Sequence, residues 1–447
     1  MKKGTIFAPA TASGRAGIGV IRVSGELALN ALEQFCVLCP KPRVATRALL
    51  TDVNTLEVID DSIIIWFPKP KSYTGEDVIE FHIHGGSAVV TCILENLGKI
   101  SGFRFSDPGE FTRRAFENGK MDLTAAEGLA DLIDAETAMQ RKQALRQMAG
   151  GLENIYDGWR SELIKCLSYI EAIIDFSDED IPSDLLLKID YEIKNLILNI
   201  SNFLADNERG ERVRDGIHVS IVGEPNVGKS SLLNILAKRN VAIVSEVPGT
   251  TRDIIEVSLN LGGFAVVLSD TAGLRNTSDK IESEGVRRAV LKAAESDFRI
   301  IMYDKSRKIK KNQMIDSFER ENSIIVFNKS DLNPENSNLL DERSENLSIS
   351  AKTEQGIDDL IQKLTTLIEK QFTLSETASI SRSRHRVGVL NCIKCLNQIW
   401  NDQGTMNDIE LVAEEMRLAI RALEQVTGRI DVEDVLDRIF GDFCIGK

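Results

Sequence analysis

Gly223-Glu224-Pro225-Asn226-Val227-Gly228-Lys229-Ser230-Ser231 is the stretch on which the reading of this chain turns. It satisfies G-x-x-x-x-G-K-[ST] and stands between a strand-like run (Ile217, Val219, Ile221, Val222) and a helix-like one (Leu232, Leu233, Ile235, Leu236). That context is what gives the motif meaning; without it the letters describe only a glycine-rich strand-to-helix turn. The glycines let successive backbone N–H groups turn inward around a phosphate chain. Lys229 adds a point charge, the N-terminus of the following helix favours an anion, and Ser230 offers its hydroxyl to Mg²⁺.

Three further stretches follow in order. Asp270-Thr271-Ala272-Gly273 ends the apolar run Ala265–Leu268, where an Asp reaches a metal shell and a Gly N–H the terminal phosphate. Asn328-Lys329-Ser330-Asp331 ends Ile324–Phe327. The Asp331 carboxylate suits guanine, accepting from N1–H and the 2-amino group, whereas adenine would leave it unpaired at considerable cost in a closed site. Ser350-Ala351-Lys352 follows a last short strand and suits the far side of the base. Four elements in this order over one domain length read as a GTPase domain.

Two details depart from the Ras-like pattern. Leu274 follows Gly273 where Ras-like proteins carry a water-orienting glutamine, so another group must orient the water. No intrinsic arginine finger is obvious, although Arg252 and Arg275 lie near in sequence. The stretch Ser245-Glu246-Val247-Pro248-Gly249-Thr250-Thr251, with Asn226, supplies the oxygen ligands that a monovalent cation wants, and such a cation brings the charge of an arginine finger. Glu282, at the start of the next helical pattern, reads equally as the missing water-positioning group or as a first-turn carboxylate satisfying a helix dipole.

G-E-P-N-V-G-K-S, G-T-T-R-D and D-T-A-G-L-R, together with Phe443-Cys444-Ile445-Gly446-Lys447, make the chain similar to the MnmE (TrmE) family of tRNA-modification GTPases. The first three motifs are shared with other GTPases; Cys-Ile-Gly-Lys and the Thr5–Gly25 stretch are specific to this family, and the likeness runs over essentially the whole chain. The resemblance implies a multidomain α/β and α+β fold in which a P-loop GTPase domain is inserted into a helical domain, behind an α+β tetrahydrofolate-binding-like domain that also dimerises. The expected boundaries are 1–118, 119–215, 216–372 and 373–447. It implies a homodimer that works with an MnmG-type FAD-dependent partner to add a (carboxymethyl)aminomethyl group to C5 of the wobble uridine of certain tRNAs. Within the site it implies K⁺ held by Asn226, Ser245, Val247 and Thr250, Mg²⁺ held by Ser230 and Thr251, and Glu282 positioning the water, with K⁺-dependent dimerisation of the G domains driving hydrolysis.

For 5-formyltetrahydrofolate or a related reduced folate, the resemblance implies contacts from Arg22, Glu80, Lys120 and Lys447. The chemistry agrees, since a pterin's adjacent N–H donors want a carboxylate and a folate's glutamate tail wants Arg or Lys. Cys444 would then stand near the transferred carbon as nucleophile or proton donor. Each of these residues taken singly reads as surface charge, and only the resemblance joins them.

The 447 residues suggest about three domains. A net charge of −14 argues against indiscriminate nucleic-acid binding, so an RNA partner needs a local basic patch or a second protein. No run of 18 apolar residues and no signal peptide are seen, and seven sparse cysteines suit reducing cytosol; a cytoplasmic protein is expected. Cys36/Cys39 and Cys392/Cys395 have zinc-site spacing, but the second pair falls on a helical apolar pattern and reads as core. Ile-Gly-Lys after Cys444 is a poor prenylation signal.

Along the chain, Gly14, Gly17 and Gly19 read as a glycine-rich turn, and Glu80, His82 and His84 share one strand face opposite Phe81 and Ile83. That face reads as a polar strand end, with a metal site the sharper alternative. Leu152, Ile155, Trp159, Leu163, Leu167, Ile170 and Ile174 predict a long buried helical stripe. Ser381-Arg382-Ser383-Arg384-His385-Arg386 is the clearest basic cluster, either a solvated helix start or an RNA contact. Two other functions stay open on the residues alone: an RNA-binding ribosome-assembly switch GTPase, and a folate-dependent one-carbon transferase gated by GTP.

Overall fold

The computed structural model describes residues 4–12, 14–176, 183–206, 208–239, 241–243, 256–270, 291–307, 322–332, 347–372, 378–400, 406, 408–430, 433–441, 443 and 446. The chain divides into two compact units: Met1–Ala130 with Met148–Glu179 and Gln398–Lys447, and Asp131–Gln147 with Asp180–Asn397.

The first unit is built on a six-stranded sheet of β1 (Thr5–Pro9), β2 (Ala16–Ser24), β3 (Thr46–Thr51), β4 (Val58–Phe67), β5 (Val78–Gly85) and β6 (Phe103–Phe105), in the order β3-β4-β5-β2-β1-β6. Only β1 and β6 run parallel. Alternation sorts the faces. Phe7, Val23, Ile79 and Phe81 point to a core closed by Ile93 and Leu97 of the helix Ser87–Gly98. The other face carries Ile6 and Ala8 against Phe111 of the helix Glu110–Glu117. Gly17 and Gly19, expected in a turn, lie inside β2, where the pairing with β5 is irregular between Ala16 and Gly19. At Gly19 the missing side chain serves close strand packing, since a Cβ there would stand 3.3 Å from the Gly85 Cα, whereas a Cβ on Gly17 would meet nothing within 4 Å.

Below this sheet domain the unit is helical. Gly151–Asp175 packs on Ile409–Thr427. Its fully buried stripe is Leu152, Tyr156, Trp159, Leu163, Cys166 and Ile170; the expected Ile155, Leu167 and Ile174 flank it half-buried. The steps of four, three, four, three and four follow the helical period more closely than aliphatic residues alone suggested. Leu123, Leu436, Phe440 and Phe443 form a smaller cluster.

The second unit holds the other sheet: β7 (Ile217–Gly223), β8 (Glu256–Leu261), β9 (Phe264–Asp270), β10 (Phe298–Asp304), β11 (Ser323–Asn328) and β12 (Leu347–Ser348), in the order β12-β11-β10-β7-β9-β8. All pairs are parallel except β8 with β9. The inner strands β9, β10 and β11 are rich in apolar runs, as strands covered on both faces must be, while the edge strand β8 alternates. β7 lies between β9 and β10, the point where strand order reverses, so a ligand belongs at the carboxyl ends of these strands.

In the same unit the helices Ser183–Asp206 and Ser383–Asn397 pack together. Cys392 is buried on the second of these helices, on the face that also carries buried Val389 and Leu396, and burial pushes its thiol up to about 12. Much of the basic cluster at the head of Ser383–Asn397 is neutralised within the fold: Arg382 pairs with Asp131, Arg386 with Glu211, and His385 is fully buried. Among the described residues no helix is long and apolar enough to cross a membrane.

Candidate functional site

β7 runs straight into the glycine-rich loop and the helix Lys229–Ala237. Two residues of the loop have positive φ, Asn226 at 63° and Gly228 at 106°. Asn tolerates the left-handed region because its short polar side chain bonds locally. Gly228 is required twice, for its φ and because a Cβ there would overlap the Asn328 amide nitrogen. Val227 is buried beneath the loop and Ser231 is exposed on the first helical turn.

Lys229 is 5% exposed, and its Nζ donates to the carbonyls of Gly223 at 2.7 Å and Glu224 at 2.9 Å. Burial lowers its pKa, and the charges of Asp270 and Glu224 only partly offset this. Ser230 Oγ donates to Asp270 Oδ2 over 2.6 Å, joining the end of β9 to the loop after β7. These two oxygens are hard donors of the kind that Mg²⁺ takes, and they converge next to a helix N-terminus.

A second set of contacts organises the ends of β10, β11 and β12. Asn328 Nδ2 donates to the Val227 carbonyl at 2.7 Å, while Asn328 Oδ1 accepts from the Ala351 N–H at 2.9 Å. One buried amide thus holds three loops together. Ser350 Oγ donates to Asp331 Oδ1 at 2.7 Å, fixing that carboxylate, and Lys352 is exposed beside it. Lys329 sits at φ 65° and donates from Nζ to Asp304 Oδ2 at 2.6 Å. Burial pushes the Asp304 carboxyl up, but bonds from Lys329 and Ser306 outweigh it and hold the group below the ordinary carboxylate range. Asp304 did not figure among the expected site residues. The available signal was that it ends the apolar run of its strand as Asp270 ends β9.

The structure therefore brings together Asn226, Val227, Gly228, Lys229, Ser230, Asp270, Asn328, Lys329, Asp331, Ser350 and Ala351. The expected site residues Ser245, Glu246, Val247, Pro248, Gly249, Thr250, Thr251, Thr271, Ala272, Gly273 and Glu282 lie outside the described residues.

The first unit holds the other expected site. Arg22 of β2 faces Glu80 of β5 in register, and the Arg22 Nε donates to Glu80 Oε1 at 3.0 Å. The guanidinium also lies over the rings of Tyr73 at 5.2 Å and Phe111 at 5.8 Å. His82 Nε2 stands 3.3 Å from Glu80 Oε2, while His84, next on the same face of β5, pairs instead with Asp60 of β4. Lys120 has a different partner, donating to the Pro70 carbonyl at 2.9 Å. Gly446 lies against Pro9, whose neighbour Ala8 pairs with Arg22 in the β1–β2 register. Cys444 and Lys447 lie outside the described residues. Tyr73 and Phe111, which flank Arg22, were not anticipated, since nothing in sequence ties either to residue 22.

Two family models match the chain: "GTP-binding protein TrmE N-terminus" over residues 5–120 and "MnmE helical domain" over residues 123–444. Among the most similar curated proteins is "tRNA modification GTPase MnmE" of Paramagnetospirillum magneticum, 48% identical over 446 residues, covering 99% of each chain. The protein of the same description from Parvibaculum lavamentivorans is 49% identical, over 99% of this chain and 100% of its own. That from Orientia tsutsugamushi is 44% identical over the full length of both.

Proposed function

This chain belongs to the MnmE (TrmE) family, and we propose that K⁺-dependent pairing of its GTPase domains drives GTP hydrolysis and that a reduced folate is its one-carbon source. The chain is a GTP-hydrolysing enzyme of tRNA wobble-uridine modification. The observation that carries the nucleotide-site assignment is the 2.6 Å bond from Ser230 to Asp270 at the carboxyl ends of β7 and β9. There Ser230 would ligate Mg²⁺, with Thr251 its expected partner. Lys229, already aimed at the loop carbonyls, exchanges them for phosphate oxygens. Val227, Gly228 and Ser231 present backbone and hydroxyl donors, and Asp331 reads the guanine edge.

Asn226, Ser245, Val247 and Thr250 are the proposed K⁺ ligands, and Glu282 the proposed group that holds the attacking water. Mg²⁺ and K⁺ supply charge stabilisation at the transferred phosphate when bound. Turnover in K⁺ and in Na⁺ at matched ionic strength is expected to differ by about tenfold or more, as for a lost charge stabiliser; equal rates would remove K⁺ from the reading.

For the first unit we propose a reduced folate on the sheet face of Arg22 and Glu80, with Lys120, Lys447 and Cys444 completing the site, in a homodimer that acts with an MnmG-type flavoprotein on tRNA. The Arg22–Glu80 pair supports this, because it presents a carboxylate beside a guanidinium that itself packs on the rings of Tyr73 and Phe111. The test of the overall reading is mass spectrometry of wobble nucleosides from a strain lacking the gene. Loss of the C5-substituted uridine, restored by the wild-type chain and not by an Asp270→Ala variant, is the expected result. An unchanged nucleoside profile would refute it.

A further inference from the structure

Asp304 ends β10 one strand away from the glycine-rich loop, and no nucleotide-contacting role attaches to it in the reading above. Its carboxylate is divided between two tasks. Oδ1 accepts from the Ser306 N–H at 2.9 Å and the Ser306 hydroxyl at 2.6 Å, closing the turn that follows β10. Oδ2 accepts from Lys329 Nζ at 2.6 Å, with the more exposed Arg307 Nε farther off at 3.8 Å. In the β10–β11 register Asp304 stands directly opposite Asn328, and the Lys305 N–H donates to the Asn328 carbonyl at 2.9 Å. The backbone on either side of the ion pair is therefore fixed as well. The Asp304 side chain is 13% exposed and that of Lys329 27%.

Lys329 has four rotatable carbons and a left-handed backbone, an expensive combination to order. A long side chain held in one geometry before the ligand arrives loses less entropy on binding than a free one. We infer that Asp304 is a positioning residue for the guanine nucleotide: it acts through Lys329, holding the lysine stem extended along the wall of the base site between Asn328 and Asp331. Asp304 has no contact with the base edge in this arrangement; that role belongs, in the proposed reading, to Asp331, which Ser350 holds. Asp304 thus sets affinity for the nucleotide and leaves discrimination among purines alone.

The inference rests on the guanine-nucleotide assignment, and the experiment separates the two. Asp304→Asn preserves volume and an acceptor for Ser306 while removing the charge that orders Lys329. Dissociation constants for GDP, GTP and ITP are measured for the wild type, Asp304→Asn, Lys329→Met and the double variant, with ATP as control. Asp304→Asn is expected to weaken GDP, GTP and ITP alike by about tenfold, the scale of a lost charge-assisted hydrogen bond. The turnover number at saturating GTP stays unchanged, and the double variant binds no worse than Lys329→Met.

Wild-type affinity in Asp304→Asn, additive losses in the double variant, or a changed GTP/ITP ratio would each overturn the positioning role. A wild type that prefers ATP would instead overturn the guanine assignment. Should Asp304→Asn fail to fold, Lys329→Arg takes its place, since an arginine still reaches Asp304. Affinity kept by arginine and lost by methionine supports the inference, and equal behaviour of the two refutes it.

Discussion

Gly446 packs against Pro9 so closely that a methyl group on its α-carbon would overlap the Pro9 carbonyl oxygen. Its φ of 93° is one that only glycine adopts without strain. Pro9 ends β1, and the adjacent Ala8 stands opposite Arg22, so the contact sets residues from the two extremes of the chain beside the Arg22–Glu80 pair. Phe443 anchors the same segment among Leu436 and Phe440. Gly446→Ala is expected to displace the segment without touching the second unit's sheet. Binding of 5-formyltetrahydrofolate, followed by equilibrium dialysis, should fall by about tenfold or more, with GTP turnover within about twofold of wild type. Undiminished folate binding would place the folate elsewhere.

Asp331 offers a sharper test of base reading. Its carboxylate accepts, and Ser350 fixes its orientation from behind. Asparagine at this position turns one acceptor into a donor, which meets the 2-amino group of guanine badly and the 2-oxo group of xanthine well. Asp331→Asn should lose about a hundredfold or more in GTP affinity and gain affinity for XTP, because a site built on hydrogen bonds rejects a mismatched edge strongly. Competition against a fluorescent GDP analogue measures both, and retained GTP preference would reassign the base reader.

Much of this molecule was legible in the sequence, for reasons that can be named. The glycine-rich loop was readable because strand, loop and helix are contiguous, so one local window holds the whole device. Asp270, Asn328 and Asp331 were readable because each ends or follows a buried strand, and an Asp or Asn closing an apolar run has few purely structural reasons to be there. Asp304 obeys the same rule but has no motif around it, and only the pairing of β10 with β11 brings it to Lys329. The basic run Arg382–Arg386 was misleading in the opposite way: its acidic partners Asp131 and Glu211 are more than a hundred residues away in sequence, so the cluster looked unneutralised. The Arg22–Glu80 pair lies between these cases, since alternation gave the faces of β5 but only register gives the partner.

A pH-dependent contribution follows from His84. Its Nδ1 lies 2.7 Å from Asp60 Oδ1, and its backbone N–H donates to Asp60 Oδ2 at 2.9 Å. The hydrogen bond to Asp60 and then its charge raise the imidazole pKa above the ordinary 6.5, with Asp61 adding to the effect and burial opposing it weakly. A raised folded-state pKa favours the protonated folded form. The stabilisation is therefore complete below about pH 6.5 and is lost as pH rises through the folded value. An NMR titration of the imidazole should show His84 titrating above a free histidine, and Asp60→Asn should return it to the ordinary range. A His84 that titrates identically in both proteins would break the link.

The last prediction concerns the point where the chain enters and leaves the second sheet. Asp131 Oδ1 accepts from Arg214 Nε at 2.8 Å and from Arg382 Nη2 at 2.7 Å. Arg214 lies in the last turn of the helix Glu208–Asp215 that leads into β7, and Arg382 precedes Ser383–Asn397, the next described helix after Ile357–Phe372. One carboxylate oxygen therefore ties the segment that leads into the second sheet to the segment that leaves it. The surroundings reinforce it: Gln140 donates to the Arg214 carbonyl at 3.0 Å, Gln143 to the Gly210 carbonyl at 2.9 Å, and Ser381 to Gln147 at 2.7 Å. Gly210 approaches Ile380 so closely that no side chain fits between them. Asp131→Asn keeps the shape and an acceptor but removes the charge that both arginines share. Because Arg214 and Arg382 are partly solvated, 32% and 21% exposed, water takes up part of the loss. The expected destabilisation is about 1–2 kcal/mol, read as a lower urea midpoint at an unchanged slope. Combined with Arg382→Gln, the loss should be smaller than the sum of the single losses, since both changes break one contact. A wild-type midpoint for Asp131→Asn, or strict additivity with Arg382→Gln, would show that the two arginines hold their places without it.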